Sequence, residues 1–269
     1  MINKTYAAYI LRDFWPHVLF VSVFGMLITF ALPYFFGTFE MAKVMKQMME
    51  SMPPAMRAMM NNDIEGFLSV EGSVGFSLKH PITITVLSYM AIVLPVKYIG
   101  RAIEQGKMEI LLTLPMKRSE LMRTFLVMAA FFFLVTVLLL ALGSYIGIQS
   151  LDATTFKYVL FGKDLILVFV FYFFIFSVSL AGTVWFKDPG QGILVTIVYL
   201  ASFYLIDILS QYRPWLANLT KRINLFKYYE TQEIMNSKGN WNIDLIVLGV
   251  ATALLVLFSW TTFKRRDIP

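Results

Sequence analysis

The sequence has no cysteine among its 269 residues and only two histidines. Without cysteine, it has neither a disulfide framework nor a thiolate to bind a metal or act as a nucleophile. Each histidine, His17 and His80, adjoins a proline at the edge of a hydrophobic run, where an amphipathic ring suits a membrane interface. We therefore expect no metal site built on cysteine or histidine and no Ser-His-Asp arrangement, and we predict that the chain is not an enzyme.

Charged residues are also scarce. They make up 15% of the chain, against about 25% in soluble domains, while hydrophobic residues make up 58%. This excess of apolar residues indicates a protein whose solvent is a lipid bilayer. Few ionisable residues lie within the hydrophobic runs, which argues against a carrier driven by protons or sodium. Asp207 is the candidate polar residue on a substrate route, or else it lies near water at the outer end of its run.

Six hydrophobic runs approach the length of about 20 residues that a transmembrane helix needs. They lie at about residues 18–36, 82–98, 125–148, 165–186, 192–209 and 245–263. The sequence thus predicts an all-α integral membrane protein with six transmembrane helices in a single domain, residues 1–269. An even number of spans puts both termini on one side, and the density of basic residues near the span ends favours the cytoplasm.

The sequence has no phosphate-binding loop of the kind that an ATPase needs. The nearest approach is GRAIEQGKM at residues 100–108, where Gly100 stands one position too early. Met108 occupies the place of the Ser or Thr that would hold magnesium. We therefore do not expect this chain to bind nucleotide in that way.

Methionines cluster in the segment after the first run, several of them at helical spacing. They are Met41, Met45, Met48, Met49, Met52, Met56, Met59 and Met60. Three interpretations stay open: an amphipathic surface helix broken by two prolines, an adaptable hydrophobic surface for a varied substrate, or a thioether site for Cu(I). A non-transporting membrane sensor or scaffold, which binds a ligand through this segment, is the alternative function.

A dense charged patch separates the second and third runs, at residues 102–121. Within it, one side of a short predicted helix is apolar and consists of Ile103, Ile110, Leu111 and Leu114. Pro115 ends that helix, and the charged side chains project elsewhere. The pattern predicts a helix at the cytoplasmic interface that presents charges to a partner, although an ordinary solvated inner loop would also be basic.

The run EQGKMEILLTLPMKRSEL, residues 104–121, resembles the signature of the ABC-2 type transporter permeases. Its parts are an acidic residue, Gly, an acidic residue, Leu-Leu, Leu-Pro, a basic residue and Ser-Glu-Leu. The ending FKRRDIP is similar to the family's ending, with Phe263, Arg266 and Asp267 at matching positions. Lys107 departs from the pattern, since many members carry Thr there. With six spans, the resemblance covers essentially the whole chain.

The resemblance implies a more detailed fold. An amphipathic interface helix would occupy residues 2–14, with Ile2, Tyr6, Tyr9 and Ile10 as its apolar stripe. A cytoplasmic coupling helix would occupy about residues 99–114, and short re-entrant outer helices would precede the last span, within residues 213–235. The surface that contacts an ATPase would consist of Glu104, Gly106, Lys107, Glu109 and Arg118.

The resemblance also implies a function, the permease subunit of an ATP-binding-cassette transporter, usually an exporter. Two such permeases, identical or related, pair in the membrane and dock onto two separately encoded ATPase subunits. ATP and Mg belong to those subunits, so the chain itself would hold no cofactor, and it would contact lipid but no nucleic acid. The implied location is the cytoplasmic (inner) membrane of a prokaryotic cell, with multiple passes and both termini cytoplasmic.

Overall fold

The computed structural model describes residues 2–38, 44, 47–48, 51, 69–113, 117–150, 156–212, 215, 219–220 and 224–266. These residues are mostly helical, and no strand occurs among them. Six of the helices are long and apolar enough to cross a membrane. The prediction of an all-α chain with six membrane-length helices is thereby confirmed.

The helices follow one another along the chain as α1 Lys4–Thr38, α2 Val70–Lys79, α3 Pro81–Pro95, α4 Arg101–Glu104, α5 Lys107–Thr113, α6 Arg118–Gln149, α7 Tyr158–Trp185, α8 Pro189–Tyr212, α9 Thr231–Met235 and α10 Trp241–Arg265. A π-helical turn, Val96–Gly100, joins α3 to α4, and a 3-10 turn, Leu225–Tyr228, precedes α9. The six membrane-length helices are α1, α3 with its extension through α4, α6, α7, α8 and α10.

Successive membrane-length helices alternate in direction, so the bundle has two ends. We call the end where α1 begins and α10 ends the terminal end, and the other the distal end. Helices α1 and α6 both run from the terminal to the distal end and pack side by side. The hydroxyls of Ser22 and Thr136 share a hydrogen bond of 2.8 Å, and further along Thr29 donates to the carbonyl oxygen of Leu140 at 3.0 Å. Helix α7 is the most buried of the six.

The contact between α1 and α6 is close because α6 carries glycine there. A Cβ at Gly143 would collide with the carbonyl oxygen of Met26 and lie 2.6 Å from the hydroxyl of Thr29. A Cβ at Gly147 would lie 2.9 Å from the carbonyl oxygen of Phe30. In a bilayer, lipid tails are as apolar as the helices, so helix association depends on such close packing and on hydrogen bonds between helices.

The predicted interface helix and first span form one helix, α1. Its buried face consists of Tyr6, Ile10, Phe14, Val18 and Val21. This spacing of three or four residues passes Pro16 unchanged, so the two predicted elements share one continuous packing surface. Of the predicted apolar stripe, Tyr6 and Ile10 are buried, whereas Ile2 and Tyr9 are exposed. Ile2 precedes the first turn of the helix, and Tyr9 lies outside the four-residue repeat.

Two short helices at the distal end pack against each other. Helix α2 lies between the first and second hydrophobic runs, and Ser69 caps its start, since the Ser69 hydroxyl accepts a hydrogen bond from the amide of Gly72. The hydroxyl of Thr231, in α9, donates to the carbonyl oxygen of Gly75 at 2.6 Å. Of the predicted re-entrant segment, the 3-10 turn and α9 are described, and their path relative to a membrane stays a prediction.

The glycine contact between α1 and α6 can be tested with one substitution at two positions. Gly143→Ala should destabilise the bundle by about 1–3 kcal/mol, because the methyl group has no room. Gly249→Ala is the matched control, since no atom lies within 4 Å of a Cβ there. The control should be neutral or slightly stabilising, because alanine favours helix over glycine. Thermal unfolding in detergent measures both, and equal melting temperatures for the two variants would contradict this packing.

Candidate functional site

The charged patch of the sequence lies at the terminal end as two short helices. Helix α3 continues through the π-helical turn into α4 without a break. The chain then turns at Gly106, which has a φ of 68° and whose amide donates to the carbonyl oxygen of Ile103 at 3.1 Å. A Cβ there would meet no atom within 4 Å, so the left-handed backbone, not lack of space, favours glycine.

Three of the predicted contact residues, Glu104, Lys107 and Glu109, are exposed on this segment. The predicted apolar side is partly wrong. Ile103 and Leu111 pack against the core, but Ile110 is 69% exposed, and Met108 is buried in its place. The turn at Gly106 ends one helix and starts another, so the helical period does not run through it. Leu114 and Pro115 lie outside the described residues.

Arg118 lies at the start of α6 and bonds to the end of α10. Its guanidinium donates to the carbonyl oxygen of Arg266 at 2.6 Å. The guanidinium of Arg266 in turn donates to the carbonyl oxygens of Thr183 and Val184, at 3.1 and 2.7 Å, near the end of α7. Carbonyls in the last turn of a helix lack helical partners and attract cations. The two arginines therefore join three helices, and the contact of Arg118 with an ATPase stays a prediction.

Two of the three matching positions in the family-like ending have structural roles here. Phe263 is fully buried, and Arg266 binds the end of α7. Asp267 lies outside the described residues.

A cleft of about 890 Å³ runs between α3 and α8. Its walls are mainly aliphatic and include Ile84, Ile92, Val93 and Val96 from the α3 side and Ile193, Ile197, Leu200 and Ala201 from α8. From Pro81 to Arg101, which both line it, the helix rises roughly 30 Å, the thickness of the hydrocarbon core of a bilayer. The volume is within the range of about 300–1,000 Å³ that ligand pockets occupy.

Polar groups line the cleft toward its terminal end. A ring nitrogen of His17 and the hydroxyl of Tyr89 share a hydrogen bond of 3.0 Å. The ammonium of Lys97 lies 2.9 Å from a carboxylate oxygen of Asp13, and Arg101 lies one turn further along. Two cations thus line the cleft here, and among the described residues no carboxylate does.

A buried ionic cluster at the distal end was not foreseen from the sequence. Lys79, at the end of α2, lies 2.9 Å from Glu230 and 3.2 Å from Asp207. Burial opposes the charged form of Lys79, but the two carboxylates outweigh this effect and raise its pKa above the ordinary value. Lys79 thus stays protonated and links α2, α8 and the residue that precedes α9.

Asp207 is buried within the protein, with only 3% of its surface exposed. It does not line the cleft, although Tyr204, one helical turn before it, does. Its predicted place on a substrate route stays a prediction. No pattern in the sequence indicated the cluster, because Lys79 is far from Asp207 along the chain.

The Met-rich segment, at residues 41–60, lies outside the described residues apart from a few positions. Of its methionines only Met48 is described, and it is exposed. In the part of the chain that the structure covers, no group of three or more His, Asp or Glu side chains is placed to hold a metal ion.

The ionic cluster yields a prediction about stability. Lys79→Met should destabilise the protein by roughly 3 kcal/mol, because it leaves the buried carboxylate of Asp207 and the partly exposed carboxylate of Glu230 without their cation. For a chain of this size, that corresponds to a fall in Tm of roughly 6–12 °C. Combining Lys79→Met with Asp207→Asn and Glu230→Gln should restore much of the loss, since the cluster then contains no charged group.

Lys117→Met, at an exposed lysine, is the matched control for loss of a surface charge and should leave Tm unchanged. If Lys79→Met melts at the same temperature as this control, the cluster contributes nothing to stability.

Comparisons with known proteins do not place the chain in a family. No protein-family model matches the sequence, and neither the curated proteins nor the solved structures give a match.

Proposed function

We propose that the chain is the permease subunit of an ATP-binding-cassette transporter of the ABC-2 type. In this proposal it exports a substrate across the cytoplasmic membrane of a prokaryotic cell, using ATP that a separate subunit hydrolyses. Support comes from the family-like runs at residues 104–121 and at the C-terminus. Further support comes from the six membrane-length helices and from a cleft between two of them that is as long as the hydrocarbon core is thick.

The observation that carries the proposal is the continuity between the cleft wall and the charged segment. Helix α3 forms one wall and continues through Val96–Gly100 into α4, which ends at Glu104. A force applied to α4 therefore acts on the wall through one continuous helix, and a force applied to α5 reaches it through the turn at Gly106. A transporter needs such a connection if ATP binding outside the membrane is to change a path within it.

The surface of α4 and α5 has the composition of a protein interface. Exposed Glu104, Lys107 and Glu109 lie on the same short segment as the exposed apolar side chain of Ile110. Charges at an interface steer association and select the partner, while a central apolar side chain supplies buried area. We assign this surface, with Gly106 at its turn and Arg118 after it, to an ATPase subunit, two copies of which would serve a pair of permeases.

The outer faces of the bundle suit lipid and a second permease. Helices α8 and α10 are the least buried of the six, and their exposed side chains are mostly aliphatic. We propose that part of this surface contacts a second permease, identical or related, and that the rest contacts lipid. The beginning of α1 would then lie at the cytoplasmic interface, and α9 with its 3-10 turn would form the outer re-entrant segment.

The alternative function, a membrane sensor or scaffold, depends on the Met-rich segment. That segment lies almost wholly outside the described residues.

The proposed ATPase surface can be tested by charge reversal. Glu104→Lys combined with Glu109→Lys should weaken association with the co-purifying ATPase about tenfold or more, because like charges replace complementary ones. The transport-linked part of ATP hydrolysis should fall with it. Lys238→Glu, an exposed charge reversal at the distal end, is the control and should have no effect. An unchanged association and ATPase activity in the double variant would refute the assignment of this surface.

The proposed orientation can be tested by labelling with an impermeant thiol reagent in intact cells. The chain has no cysteine, so each introduced cysteine reports alone. Asn240→Cys lies exposed at the distal end and should react from outside, whereas Lys107→Cys lies exposed at the terminal end and should react only after lysis. The reverse pattern would invert the orientation.

A further inference from the structure

We infer that the cleft between α3 and α8 binds a membrane lipid with an anionic phosphate headgroup. The phosphate lies at the end of the cleft where Lys97 and Arg101 are, and the acyl chain lies along the aliphatic walls. That this lipid is also the transported substrate rests on the proposed function. The binding of the lipid does not rest on the proposed function, because every group that would contact the lipid belongs to this chain.

The walls select an apolar chain over a polar solute. Along the middle of the cleft, the lining is aliphatic on both α3 and α8, and the few hydroxyls there belong to Thr85, Ser88 and Tyr89. A sugar or peptide placed there would lose hydrogen bonds to water without gaining enough in return. An acyl chain has no hydrogen bonds to lose, and it can fill the space between the two helices, since protein interiors are otherwise close-packed.

The terminal end selects a negative charge. Lys97 and Arg101 are four positions apart, which puts them on the same face of the helix, and both line the cleft. Asp13 lies 2.9 Å from Lys97 and offsets one positive charge. Arg101 has no ion pair among the described residues, so one net positive charge faces the cleft. The planar guanidinium binds phosphate through two parallel hydrogen bonds, which makes arginine the suitable residue for this headgroup.

The two ends of the cleft differ, and this fixes the direction of the occupant. At the distal end, the rings of Tyr204 and Phe226 lie 5.6 Å apart and both line the cleft. These two rings can pack against the end of an acyl chain, but they offer no positive charge to bind a headgroup. The phosphate therefore lies at the terminal end.

A lipid can reach the cleft from the side. Tyr89 is 41% exposed and Ile197 is 48% exposed, although both line it. These side chains lie on helices long enough to cross the membrane, so their exposed surfaces adjoin lipid or a second membrane subunit. A lipid molecule can enter from the bilayer with its chain already in an apolar phase, so the transfer costs little.

The test uses the purified full chain in nanodiscs of zwitterionic phosphatidylcholine, without an ATPase. The probe is a fluorescent lysophosphatidate, and the comparison probe is a monoacylglycerol with the same chain and label. The protein should bind the lysophosphatidate at least about tenfold more tightly, the effect of a hydrogen bond to a charged group. Equal binding of the two probes would overturn the inference.

Paired variants locate the headgroup and the chain. Arg101→Gln should reduce the preference for the phosphate probe about tenfold, whereas Arg123→Gln, an exposed arginine that does not line the cleft, should leave it unchanged. Ala201→Trp should fill the cleft and weaken binding of both probes, whereas Val198→Trp, outside the lining, should not. Equal effects within either pair would overturn the assignment, as would displacement of the lysophosphatidate by inorganic phosphate alone.

Failure of this inference is distinct from failure of the proposed function. Suppose that the charge reversals at Glu104 and Glu109 uncouple an ATPase but the protein binds the two probes equally. The lipid assignment then fails and the permease proposal stands. If the phosphate preference is present but no ATPase associates with the chain, the protein is a lipid-binding membrane protein of another kind.

Discussion

The close packing of α1 against α6 is the contact on which the arrangement of the other helices depends. Glycine at positions 143 and 147 lets the two backbones approach, and the hydrogen bonds between Ser22 and Thr136 and from Thr29 to Leu140 add direction. In lipid, where apolar burial gives no driving force between helices, these contacts supply the association energy. Helix α1, once held, positions α3 through the carboxylate of Asp13, which Lys97 and Tyr98 bind at 2.9 and 2.6 Å. The cleft wall is therefore attached to a rigid pair.

The charges of this apolar chain are concentrated at the two ends of the bundle and serve different purposes there. At the distal end, Lys79 links α2, α8 and Glu230 in one ionic cluster. At the terminal end, the charges on α4 and α5 are exposed and can meet a partner, and two arginines fasten the ends of α7 and α10. The cleft lies between these ends, with cations near the terminal end and aromatic rings near the distal end.

The six membrane-length helices could be predicted because a succession of about 20 apolar residues is long enough to cross a bilayer and is rare in soluble domains. The turn in the charged segment was not predicted, since one helix was expected over about residues 99–114, although glycine at position 106 suits the left-handed backbone found there. The exposure of Ile110 could not be predicted, because the turn at Gly106 interrupts the helical repeat. The short helix after the turn has too few residues to show from the sequence which of its faces is buried. The Lys79 cluster and the cleft were beyond prediction for another reason: both join residues distant in the chain, and a single sequence contains no record of which helices become neighbours.

We propose that the charged segment and the cleft wall move as one body when an ATPase acts on the segment. Spin labels at Tyr89→Cys and Ile197→Cys, on opposite walls, would report the width of the cleft by electron-electron resonance in the cysteine-free chain. A second pair at Leu19→Cys and Leu138→Cys, exposed on α1 and α6, would report the rigid pair. On addition of ATP to the complex with the co-purifying ATPase, the first distance should change by about 2–5 Å, the scale of helix shifts in such transitions, and the second should stay constant. A cleft distance that stays constant while ATP is hydrolysed would contradict the claim.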